Sequence, residues 1–152
     1  MGWCQQSGQA KESQVNGSLL DTHYWLWLQT GNVDRLPPTA RDELLSLQRS
    51  RSLYLSDVSV WELARLIADD HMNVGMSVDQ FLNETTTQGG LQLLSLTSKI
   101  LIESTRLPGD IHRDPSDRIL IATAREHGLT LITRDKDILK YAARGHLNAR
   151  KP

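Results

Sequence analysis

A chain of 152 residues is enough for one domain with a substantial core. Its 17 basic and 18 acidic side chains leave a net charge of −1, which excludes a protein that coats nucleic acid by bulk attraction. Cys4 is the single cysteine, so no intramolecular disulfide forms, and no apolar run reaches the length of a membrane span. Residues 1–18 lack the apolar stretch of a secretory signal, and Gln6 stands where a myristoylation motif needs Ser or Thr. A soluble cytoplasmic protein is expected.

Residues 1–17 are rich in Gly, Gln, Ser and Asn and read as a disordered extension or tag. Ser18-Leu19-Leu20-Asp21 is a short apolar run ending in an acid, expected as a strand buried on both faces. Tyr24 to Leu28 continues as a helix that stops at Gly31. Pro37-Pro38-Thr39 opens a second helix, with Thr39 as the expected N-cap and Leu44, Leu45 and Leu47 beneath. Ser52 to Ser56 alternates like a strand, and Val58 to Ala68 reads as a helix.

Ser77 and Gln80 stand in capping-box spacing and start a helix expected to run to Thr86. Gly89-Gly90 then breaks the chain before a third strand at Leu91 to Leu94, followed by a helix from Thr97 to Thr105. Asp114-Pro115 opens a helix running to Gly128, Leu129 to Thr133 is a fourth strand, and Asp135 to Tyr141 a last short helix. Residues 146–152 are expected as a flexible tail, leaving 18–145 as the domain. Strands alternating with helices at this spacing indicate an α/β fold, a mainly parallel sheet covered on both faces.

In such sheets ligands gather beyond the carboxyl ends of the strands. Acids fall there repeatedly: Asp21 ends strand one, and Asp57 follows strand two with Glu62 a turn beyond. Asp114 and Asp117 open the helix before strand four, and Asp135 and Asp137 follow it. Taken singly, most have a structural explanation. Asp114 suits an N-cap, Asp117 the favourable first turn of the same helix, Asp57 and Asp135 the starts of theirs.

Asp21 and Glu62 resist that explanation. An unpaired carboxylate at the end of a buried strand is costly. Glu62 lies on a helix with apolar residues on two sides and needs a cation: Arg65, a distant arginine or a metal. Clustered carboxylates repel unless a divalent ion neutralises them, and oxygen-only donors suit Mg²⁺ or Mn²⁺, the ions that support phosphodiester hydrolysis. No HExxH or close Cys/His set supports a zinc hydrolase, no GxxxxGK[ST] a nucleotide-binding loop, and no GxSxG a serine hydrolase. The uneven charge agrees with an anionic ligand, since residues 1–97 carry 6 basic and 11 acidic side chains and residues 98–152 carry 11 and 7. Scattered solubilising charge explains that imbalance equally well.

Four blocks occur in order: Leu19-Leu20-Asp21-Thr22-His23, Ser59-Val60-Trp61-Glu62-Leu63, Asp114-Pro115-Ser116-Asp117-Arg118-Ile119-Leu120-Ile121-Ala122 and Leu131-Ile132-Thr133-Arg134-Asp135. Together they resemble the PIN-domain proteins, and within them the VapC-type toxins of bacterial toxin–antitoxin pairs. The resemblance implies a three-layer α/β/α sandwich with four to five strands and Mg²⁺- or Mn²⁺-dependent endoribonuclease activity. Asp21, Glu62 and Asp117 match the three central acids and Asp135 the more variable fourth, with Asp114 either a further ligand or the helix cap. Arg118 and Arg134 are candidates for holding the RNA substrate, while His112 and Arg113 are unassigned.

The same resemblance implies a homodimer and a VapB-like antitoxin whose C-terminal segment sends Arg or Lys toward Asp21, Glu62 and Asp117. Trp25, Trp27 and Leu28 are candidates for receiving its apolar anchors, with core packing as the alternative. The competing reading is a PIN-type module that binds RNA or protein without cutting. A phospho-acceptor receiver domain fits poorly, since Arg134-Asp135 stands where a late Lys is needed.

Overall fold

The computed structural model describes residues 16–111 and 113–152. In chain order the elements are β1 (Ser18–Leu20), α1 (Thr22–Thr30), α2 (Pro38–Arg49), β2 (Leu53–Ser56), α3 (Asp57–Ala68) and α4 (Val78–Asn83). A π-helical turn (Glu84–Gln88) leads to β3 (Gln92–Leu94), α5 (Ser98–Thr105), α6 (Pro115–His127), β4 (Thr130–Ile132), α7 (Lys136–Ala143) and β5 (Ala149–Arg150). The five strands form one sheet in the order β3-β2-β1-β4-β5, every pair parallel.

Central β1 shows why the sheet needs helices on both faces. Leu19 and Leu20 are each 0% exposed and, with the period-two alternation of a strand, point to opposite sides. Leu20 joins a core with Trp25, Leu44, Leu63 and Phe81, and Leu19 joins one with Leu120, Ile121, Ile138 and Tyr141. The result is a three-layer α/β/α sandwich, with a core between the sheet and each helical layer. Helices α1 and α6 both stop at a left-handed glycine, Gly31 at φ 68° and Gly128 at φ 65°, a conformation only glycine adopts without strain.

Three expectations are corrected, and the alternative left open for Trp25 and Leu28 is decided. Residues 146–152 are not a loose tail: Leu147 is buried, Leu131 N–H donates to Asn148 O at 2.8 Å, and Ala149 and Arg150 pair with Leu131 and Ile132. Thr39 does not cap α2. The helix begins at Pro38 with Pro37 in the cap position, because proline's missing N–H costs nothing there. Trp25 and Leu28 are core residues: Trp25 is 0% exposed, packs edge-on to Phe81 at 5.2 Å and donates from Nε1 to Thr85 Oγ1 at 3.3 Å. The α4 segment, expected as one helix to Thr86, widens at Glu84 into the π-helical turn that carries Thr85 to this indole.

The expected disorder of residues 1–17 lies outside the described residues up to 15. Gly17, however, is already tied in, its carbonyl accepting from Thr130 N–H at 3.1 Å.

Candidate active site

The strand order reverses at β1: the chain moves from β1 outward to β2 and β3, then returns to place β4 on β1's other side. Chain leaving β1 and β4 therefore diverges at their carboxyl ends and opens a crevice. Into it come Asp21, the residue after β1, Glu62 from the second turn of α3, Asp114 and Asp117 from the start of α6, and Asp135 after β4. They line a cleft of about 530 Å³ together with His23, Tyr24, Trp27, Arg35 and Arg134. A smaller cleft, about 300 Å³, lies beside Gly128 and Asn148 at the amino ends of β4 and β5 and has no acidic lining residue.

Each acid is set by local backbone chemistry. Asp21 is the N-cap of α1, its Oδ1 accepting from His23 N–H at 3.3 Å. Its Oδ2 accepts a short 2.6 Å hydrogen bond from Thr133 Oγ1, which in turn accepts from Asp135 N–H at 3.1 Å. One buried hydroxyl thus links the acid after β1 to the acid after β4.

Thr22 does the same for α3. Its Oγ1 is 2.8 Å from Glu62 Oε2 and 2.8 Å from Ser59 Oγ. A carboxylate only accepts, so the single Thr22 proton points at Glu62. Arg65, one candidate partner for Glu62, lies instead over the Trp61 ring, 5.1 Å from its centroid.

Asp114 caps α6, its Oδ1 accepting from the N–H groups of Ser116 at 2.9 Å and Asp117 at 3.2 Å. Asp135 caps α7 in the same way, through Asp137 N–H at 2.9 Å and Ile138 N–H at 3.0 Å. Both caps nevertheless line the cleft, so capping and a role in the site are compatible for each.

The cleft's field is negative. His23 has its pKa raised from the usual 6.5, first by its hydrogen bond to Asp21, against the opposing effect of burial, and further by the charges of Asp21, Glu62 and Asp117. Tyr24 is also raised, chiefly by burial, with Arg134 acting in the opposite direction and Asp21 in the same one. Arg134 lies over the Trp27 ring at 5.2 Å from its centroid.

All four acids singled out in the sequence, and Asp114, are brought together. Arg134 joins them, but Arg118 does not: its Nε donates to Ser104 O at 2.8 Å, bracing α6 against α5. Asp57 and Asp137 stay in the first turns of α3 and α7 and do not line the cleft. Arg113 is exposed, and His112 lies outside the described residues.

Sequence reasoning passed over Thr22, Ser59 and Thr133, all buried. Thr22 adjoins Asp21 and Thr133 lies two residues before Asp135, but neither spacing says which carboxylate the hydroxyl reaches. Sequence reasoning also passed over Arg35, and over His23 and Tyr24 on α1, as lining residues of the cleft.

Comparison with known proteins gives a consistent result. A family model described as PIN domain matches residues 18–144. The chain is 27% identical over 118 residues to Ribonuclease VapC22 of Mycobacterium tuberculosis (strain ATCC 25618 / H37Rv), covering 78% of this chain and 86% of that protein. Among solved structures it is similar to VapBC2 from Rickettsia felis bound to a DNA fragment from their promoter, with a TM-score of 0.62 at 15% identity, covering 88% and 97% of the two chains. FitAcB from Neisseria gonorrhoeae superposes with a TM-score of 0.55 at 21% identity, covering 89% and 97%.

Proposed function

The chain belongs to the PIN domain family, and from that premise we propose that it is a metal-dependent endoribonuclease acting as the toxin of a toxin–antitoxin pair. One observation carries the reading: Asp21, Glu62, Asp114, Asp117 and Asp135, from four separated parts of the fold, line a single cleft at the strand-order reversal. The ribonuclease name of the M. tuberculosis relative supports it. No helix among the described residues is long and apolar enough to cross a membrane.

The donor set fits a hard, oxygen-liganded cation. It is made of carboxylates, it is backed by hydroxyls that orient Asp21 and Glu62, and its negative field already raises the neighbouring His23. Among the described residues no three acidic, histidine or cysteine side chains stand close enough to chelate an ion. In this reading Asp21, Glu62, Asp117 and Asp135 draw together to hold Mg²⁺ or Mn²⁺, with Asp114 primarily the cap of α6. When bound, such a cation neutralises the phosphodiester's charge and makes water a stronger nucleophile.

The protein's own part is positional. Thr133 and Thr22 each orient one carboxylate by a hydrogen bond, Asp21 after β1 and Glu62 on α3. A water oxygen then bonds to phosphorus as the P–O bond to the leaving ribose oxygen breaks, and that oxygen ends protonated.

The same acids suit the guanidinium of an antitoxin segment, which would inhibit by occupying the place of metal and RNA. The VapBC2 structure named above supports such a partner, and the family resemblance implies a homodimer. The test is cleavage of single-stranded RNA by the purified protein with Mg²⁺, with Mn²⁺ and with chelator, alongside thermal melting. Cleavage with either ion, abolished by chelator, is expected. Melting should rise by the equivalent of about 2.7 kcal/mol at an ion concentration one hundred times its Kd. RNA that stays intact with both ions, and a melting curve indifferent to them, would leave a binding module.

A further inference from the structure

Resting on the nuclease reading, we propose that Arg134 is a phosphate-binding residue for the nucleotide beside the scissile bond, and that Trp27 positions it. Arg134 is flanked in sequence by Thr133, which holds Asp21, and by Asp135, and it faces a cleft lined by five carboxylates. A guanidinium so placed has a strong alternative, because it matches a carboxylate bidentately. Collapsed onto the acids, it would occupy the place that a cation and a substrate phosphate must share.

The structure shows another arrangement. The Arg134 Cζ lies over the Trp27 ring, 5.2 Å from its centroid, an attraction between cation and ring face. Trp27 is well fixed for this task. Tyr24 meets it edge-on at 5.3 Å and 87°, His23 lies tilted at 5.7 Å and 41°, and the indole packs partly against the core. The platform therefore keeps the cation at the rim of an acidic cleft. Arg35, from the connection between α1 and α2, lines the same cleft and adds a second guanidinium. A cleft of acids flanked by arginines suits a polyanion whose reacting phosphate meets the acids and whose neighbouring phosphate meets Arg134.

The test is binding of a fluorescent 2′-O-methyl oligoribonucleotide of about ten nucleotides, within the usual single-strand site size. The 2′-O-methyl groups resist cleavage, and affinity is read by anisotropy with Mg²⁺ across a range of salt. Arg134→Ala should weaken binding about tenfold and lower the salt slope by about 0.7, the loss of one single-strand phosphate contact. Arg134→Lys should keep the slope. Trp27→Leu retains apolar bulk but removes the ring, and Trp27→Phe retains a ring. The first should behave like Arg134→Ala and add nothing to it in the double variant, while the second should stay near wild type.

Wild-type affinity and slope in Arg134→Ala would overturn the inference and leave the nuclease reading intact. Weaker binding in Trp27→Leu with an unchanged slope would also overturn it, since Trp27 would then be stacking on a base. Failure of the wild-type protein to bind the oligonucleotide at all would overturn both.

Discussion

Thr133→Val keeps the shape of a buried side chain and removes one hydroxyl. In the folded protein that hydroxyl is 2.6 Å from Asp21 Oδ2 and 3.1 Å from the Asp135 amide, inside a residue that is 0% exposed. A hydrogen bond to a charged group contributes about 1.5–3 kcal/mol, and a neutral one about 1 kcal/mol. Asp21 keeps 13% side-chain exposure, so water replaces part of the loss and the low end applies to it. The expected destabilisation is about 2–3 kcal/mol, or roughly 4–12 °C in melting temperature for a domain of this size.

A separate effect falls on the cation. Groups that orient a ligand typically change metal affinity by 10–100-fold, so the Mg²⁺ concentration needed to stabilise the variant should rise by about that factor. Melting curves recorded over a Mg²⁺ titration measure both quantities, and Thr133→Ser, which restores the hydroxyl, should recover both. A valine variant that melts within about 1 °C of wild type, with the same Mg²⁺ response, would refute the claim that Thr133 holds Asp21 in place.

Other perturbations separate structural from chemical roles. Asp114→Ala should cost about 0.5–2 kcal/mol, read by denaturant unfolding, because two amides at the start of α6 lose their acceptor. Truncation after Gly145 removes buried Leu147 and the β5 ladder and should destabilise by about 3–5 kcal/mol in the same assay, where removal of a flexible tail would change nothing. Tyr141 has its pKa raised above 10.0, mainly by burial and against the nearby arginines, while its hydroxyl donates to Pro108 O at 2.6 Å. The folded state therefore keeps a proton that the unfolded chain releases. Its contribution is complete below pH 10 and is lost as pH rises from there through the folded value, so melting temperature should fall in that window less steeply for Tyr141→Phe.

Most of the sheet was legible because apolar runs of three to five residues, bounded by turn residues, carry their own signal. The acids were legible because a parallel strand aims its next residue at the crevice. Asp21 follows Leu19-Leu20 and Asp135 follows Leu131-Ile132-Thr133, so their convergence needed only the order of the elements. What failed depended on tertiary context. Ala149 and Arg150 contain no apolar run; they become a strand because β4 offers an open edge and Leu147 anchors the approach. Trp25 and Leu28 could face either way on a helix apolar nearly all round, and the sheet decided the matter. Arg118 sits one residue from Asp117, but its position on α6 points it toward Ser104 of α5. The threonines that aim the carboxylates were unreadable, because a hydroxyl's partner is chosen by distance in space.

The assignment of the acidic cleft as the active site is tested most directly by the rate of RNA cleavage by Asp117→Asn beside wild type, under single turnover in saturating Mg²⁺, with the fold of both checked by circular dichroism. Asp117 opens α6 without capping it, so the amide should leave the fold intact. The predicted result is a loss of at least about a hundredfold in rate with a native spectrum. Cleavage at the wild-type rate by the folded variant would contradict the assignment of this cleft as the active site.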